Sequence, residues 1–130
     1  MQPAATRADF LDVRLDANRA FSSVDFQRWV LSHIRPMPNS KWSGIYAFEV
    51  ASSTEWSNPS IGNDFRPDRF VNIEATIERK MAALKAYDEE MRPFPHSRSY
   101  DALLALATLR GAHVGLKSAE AFLTLRSIDR

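Results

Sequence analysis

Between residues 47 and 56 the chain reads AFEVASSTEW, and Ser52, Ser53, Thr54 and Glu55 stand in a row between an apolar run and the indole of Trp56. Hydroxyls and a carboxylate can hydrogen-bond a polar ligand, and an indole offers an apolar or stacking surface. Ser53, Glu55 and Trp56 therefore have the composition of a ligand-pocket rim. The same residues support a second reading: Ser52 and Glu55 have the S-x-x-E spacing of a capping box, in which they would only close a turn.

Other chemistry has few carriers. His33, His96 and His113 are the three imidazoles, and none lies three or four residues from another, so no helix can present two of them to a metal. His33 belongs near a helix end, where solvent or the last carbonyls satisfy it, and His113, just after Gly111, reads the same way. Asp88, Glu89 and Glu90 form an acidic run, but on an amphipathic helix such a run is a solvated face and is assigned no role. Neither G-x-G-x-x-G nor G-x-S-x-G occurs, which leaves dinucleotide binding and a nucleophile elbow without support. With no cysteine, disulfides and thiolate metal ligands are excluded.

The elements that must position these groups are set by periodicity. SVDFQRWVLSHI puts Phe26, Val30 and Ile34 on one face of a helix over 24–34, stopped by Pro36 and Pro38. GIYAFEV is β-prone and predicts a strand at 45–50, and RFVNI predicts a second at 69–73. Between them lies a long loop with two prolines, of a length that marks function or mobility. Asn72 can cap the next helix. Ile77, Met81, Leu84, Tyr87 and Met91 form the stripe of that amphipathic helix, over 74–91. Ser99 opens another helix over 99–110, with Gly111 as its expected stop. In AEAFLTLRSI the alternation at 123–126 leans toward strand.

Composition sets the outer bounds. A chain of 130 residues, 45% hydrophobic and 25% charged, suits one globular domain, 1–130, with one modest core. A formal charge of +1 gives no field to favour nucleic acid or an anionic membrane. The opening MQPAATRADF lacks the apolar centre of a secretory signal, and no stretch is long and apolar enough to span a bilayer, so the chain reads as cytoplasmic.

Several stretches together carry a resemblance: IYAFEV-SSTEW, F-P--FV-I---IE-K--ALKAY, RPFPH-RS, RGA-VG and AEAF--LRSI, spread over residues 35–128. This region is similar to the C-terminal half of the PIG-L (LmbE-like) deacetylases. The resemblance implies an α/β fold, the C-terminal portion of a Rossmann-like three-layer LmbE-type domain, with residues 1–34 a truncated or divergent remnant. It also implies the family's activity, zinc-dependent hydrolysis of N-acetyl groups on glucosamine-containing substrates. In that family an A-H-P-D-D motif supplies metal ligands and a base, and a later D-H supplies a further ligand.

This sequence departs from that pattern. A-H-P-D-D is missing, FLDVRLD at 10–16 is followed too soon by RPMP, and the D-H slot falls on Ser22 and Ser23, whose hydroxyls do not replace an imidazole on zinc. Where many members carry a tyrosine near the reaction centre, this chain has Ser118. The expectation is a chain with no catalytic residue, no metal ligand and no cofactor of its own, inactive alone. Its partners would be a second copy, a complementing chain that carries the metal half, or a sugar derivative, and neither nucleic acid nor membrane. Without the N-terminal half, apolar area is expected to stay exposed at Ile45, Phe48, Val71 and the Leu103 to Leu106 region. The alternative is a non-catalytic sugar-binding or oligomerisation module.

Overall fold

A computed structural model describes residues 23–56 and 65–129. Three helices, α1 (Ser23–His33), α2 (Ile77–Lys85) and α3 (Tyr100–Ala112), accompany three strands, β1 (Gly44–Phe48), β2 (Arg69–Asn72) and β3 (Ala119–Ser127), with one 3-10 turn at Asp88–Glu90. The described fold is thus mixed α/β. The sheet is antiparallel throughout, in the order β1-β3-β2, so the two outer strands run parallel to each other on either side of β3. The tail that leaned toward strand becomes the centre of the sheet.

The helix expected over 74–91 is shorter than its stripe suggests. Asn72 does not cap it directly: its side-chain oxygen accepts the Glu74 N–H at 2.9 Å, and a turn closed by Thr76 N–H on the Ile73 carbonyl delays the start to Ile77. At the far end, continuing the helix would place Asp88, Glu89 and Glu90 in its last turns, against the negative end of the dipole. The chain instead leaves the α-helix after Lys85 and makes the 3-10 turn.

The expected stop at Gly111 also needs correction. Gly111 is buried inside α3, and a Cβ there would lie 2.6 Å from the Leu116 carbonyl oxygen and 2.8 Å from the Ser118 Cα. Its service is close approach between the helix and the lead into β3. The reversal itself comes at Gly115, whose φ of 74° lies in the left-handed region that glycine adopts without steric cost.

The core is thin. Among the described residues the buried apolar side chains are Val30, Ile73, Ala107, Ala119 and Ala121, three of them alanines that contribute little area. Ala107 on α3 and the alternating Ala119 and Ala121 on β3 mark the covered face of the sheet, since α3 packs on β3 and β2. On the other face, the cross-strand row Arg69, Phe122, Phe48 leaves Phe48 66% exposed, and the Arg69 guanidinium lies 4.8 Å over the Tyr46 ring.

Candidate functional site

The chain leaves β1 through Glu49 and Val50 into a tight turn over residues 51–56. Ser53 and Thr54 both donate their N–H groups to the Val50 carbonyl, at 3.0 and 2.9 Å, while the Thr54 hydroxyl accepts the Val50 N–H at 2.7 Å. Glu55 Oε1 accepts the Ser52 N–H at 2.5 Å, the carboxylate half of a capping box. That contact holds Ser52 at a φ of 64°, a left-handed conformation that an L-residue other than glycine adopts at a cost.

The turn reading of SSTEW has a structural counterpart, since Glu55 closes the turn. Ser53, Glu55 and Trp56 are all solvent-exposed, Trp56 at 65%. Partial burial raises the Glu55 carboxyl, but the neighbouring Ser97 hydroxyl and the N–H groups of Glu55, Ser52 and Ser53 outweigh it and hold the pKa below the ordinary glutamate value. Trp56 meets the His96 ring edge-on, with centroids 5.7 Å apart and an interplanar angle of 74°.

Beside this turn, at the end of β1, opens a cleft of about 180 Å³, smaller than the usual site for a drug-sized ligand. Ala51, from the start of the turn, lines it together with Phe48 and Glu49, Leu106 and Arg110 of α3, and Phe122 of β3. Ser53, Glu55 and Trp56 are not among its lining residues. The cleft is crossed by two ion pairs. Arg110 grips Glu49 with a two-pronged contact, Nε to Oε1 at 2.9 Å and Nη2 to Oε2 at 2.6 Å, and both side chains are largely buried, 17% and 16% exposed. Hydrogen bonding to Glu49 raises the Arg110 pKa, against the opposing effect of burial. Lys80 Nζ donates to Glu120 Oε1 at 2.5 Å, in a more exposed setting.

No motif in the sequence singles out Glu49, Arg110, Lys80 or Glu120. The available signal is a lone carboxylate closing the apolar run IYAFE and a lone guanidinium near the end of LLALATLRG, since a charge carried into a core needs a partner. In the sequence His96 is one of three imidazoles without metal-ligand spacing, and its role is not legible there. Its Nδ1 accepts the Arg98 N–H at 3.0 Å. At the end of α1, His33 Nδ1 lies 2.8 Å from the Trp29 carbonyl and 3.0 Å from Ser32 Oγ, the helix-end role expected for it. His113 follows α3 as its C-cap. The acidic run is exposed, as a solvated face should be, though Asp88 accepts the Tyr100 hydroxyl at 2.6 Å and Glu90 pairs with Arg98.

Zinc, which the resemblance implies for the family, does not fit the donors among the described residues. Among the described residues no three His, Asp or Glu side chains converge, and the Nδ1 atoms of His33 and His96 are engaged as above. Ser23 opens α1, while Ser22 lies outside the described residues. Ser118, where the resemblance implies a tyrosine in many members, is buried, and its carbonyl accepts the Ile73 N–H. No helix among the described residues is long and apolar enough to cross a membrane. No family model, no curated protein and no solved structure matches the chain.

Proposed function

We propose that this chain is a homologue of the C-terminal half of the PIG-L (LmbE-like) deacetylases, a substrate rim and scaffold without a metal centre, inactive by itself. One observation carries the reading. Each of three long-range side-chain contacts joins two of the stretches on which the resemblance rests: Glu49 of IYAFEV with Arg110 of RGA-VG, Lys80 of the IE-K stretch with Glu120 of AEAF, and Trp56 of SSTEW with His96 of RPFPH. Stretches far apart in the chain therefore act as one constellation around the end of β1. On this reading the small antiparallel sheet is the terminal portion of a larger Rossmann-like layer, and the exposed Ser53, Glu55 and Trp56 face a glucosamine derivative.

The purified chain is expected to retain no stoichiometric zinc after dialysis and to release no acetate from N-acetylglucosamine conjugates, because a hydrolytic zinc needs a complete first shell. Titrating such a conjugate while following tryptophan emission is expected to give weak saturable binding that Trp56→Ala abolishes. One tightly held zinc per chain defeats the first expectation, and conjugate binding that ignores Trp56 defeats the rim.

A further inference from the structure

The segment between the 3-10 turn and α3 is folded back on itself around His96. The Arg92 N–H donates to the Arg98 carbonyl at 3.2 Å, His96 N–H to the Pro93 carbonyl at 3.1 Å, and Ser99 N–H to the His96 carbonyl at 2.9 Å. Ser99 is buried, and its hydroxyl caps α3 by accepting the Ala102 N–H at 3.1 Å. Inside this fold-back the Arg98 N–H points at His96 Nδ1. A backbone N–H can only donate, so Nδ1 must carry a lone pair and any ring proton must sit on Nε2. The ring is also the surface against which Trp56 rests.

We propose that His96 is a proton-sensitive latch: its neutral imidazole locks the 92–99 fold-back and the Trp56 side chain together, and protonation at Nδ1 opens both. The imidazolium has a donor at each nitrogen, so Nδ1–H would face the Arg98 N–H, and one of the two must turn away. The loss falls at the junction of two elements, the capped start of α3 and the turn that carries Glu55 and Trp56. Both elements carry charged residues near His96 or Trp56 in the chain: Glu55 on the 51–56 turn, and Arg92 and Arg98 within the fold-back, where Arg98 pairs with Glu90 at 3.2 Å. Imidazoles in general change charge within about pH 5 to 8, and that is the range in which the latch is tested. It stands whether or not the exposed rim binds a saccharide.

The experiment is amide hydrogen exchange at Arg98, corrected for intrinsic chemical exchange, at about pH 7.5 and pH 5. In the native chain, protection at Arg98 is expected to fall roughly fivefold on acidification, the fold-change of one lost hydrogen bond. His96→Asn is the decisive variant, because an asparagine oxygen can accept the N–H two residues on yet takes up no proton. It is expected to keep Arg98 protected at both pH values. A second readout is Trp56 emission in a Trp29→Phe/Trp42→Phe background, which also removes the indole stacked at 4.5 Å on His33. Emission should shift with the same midpoint as the Arg98 exchange and lose that shift in His96→Asn. The latch is overturned if native Arg98 protection is independent of pH, if His96→Asn shows the same dependence as the native chain, or if Trp56 emission does not track the exchange.

Discussion

Ser52 holds a left-handed backbone and meets Glu55 through its N–H, so the turn's geometry and its side-chain chemistry can be separated at this residue. Glycine adopts φ 64° without the clash between Cβ and the following carbonyl. Ser52→Gly is expected to raise stability by about 1 kcal/mol in urea unfolding, while leaving the Glu55 contact to the Ser52 N–H in place. A loss of stability would show instead that the Ser52 hydroxyl holds the turn. Glu55 adds a pH dependence of the same sense as the latch proposed at His96, since both contributions are lost on acidification, but in the carboxylate range. Its folded pKa is lowered, so its contribution is fully present above the unfolded glutamate value, about 4.3, and is lost as pH falls through the lower folded value. Glu55→Gln should therefore flatten the acid limb of stability below about pH 5 without altering the response near neutrality.

At the scale of elements, α3 is tied to the sheet by a charge pair at its end and by a glycine that permits contact. Glu49→Gln leaves the Arg110 guanidinium largely buried without its counter-charge, and is expected to cost roughly 3 kcal/mol. Replacing both residues by apolar side chains should cost much less, because the desolvation of two charges disappears with their attraction. Gly111→Ala gains about 1 kcal/mol of helix propensity, but its methyl group would press on the backbone of Leu116 and Ser118. Net destabilisation of roughly 1–2 kcal/mol is expected from that overpacking. These elements were legible in the sequence to the extent that their signals were local. Apolar period and proline stops gave α1, an N-cap serine gave the start of α3, and alternation gave β3. The Glu49–Arg110 contact spans 61 residues, and no local pattern encodes which distant charge a lone one will meet. Gly111 misled for the same reason, since a glycine needed for approach and one needed for a stop look alike until the approaching backbone is seen. The SSTEW turn was legible as a turn, but its contact with His96 was not.

Over the whole molecule, the apolar surface left uncovered is large for the core that holds it. Alpha-helix α3 covers one face of the three-stranded sheet, whereas the opposite face exposes Phe48 and, at 39%, Val71. The outer strands β1 and β2 add sheet edges, a recurrent template for pairing with another chain. Of the residues expected to expose apolar area, Phe48, Val71 and Leu104 are exposed, while Ile45, Leu103 and Leu106 are not fully so: Ile45 and Leu103 are half-buried and Leu106 likewise. A stable interface between two chains buries on the order of 1,600 Å², and at about 25 cal/mol per Å² of apolar surface this supplies a driving force that the alanine-rich core does not. The chain is therefore expected to self-associate through the open sheet face at micromolar concentration. Sedimentation velocity should show a concentration-dependent dimer or larger species, and Phe48→Lys/Val71→Lys should shift it to monomer while its far-UV circular dichroism stays native, since both side chains already stand in water in the isolated chain. A compact native monomer that binds no apolar dye, or an oligomer indifferent to the double lysine substitution, would mean that the open face does not join the chains.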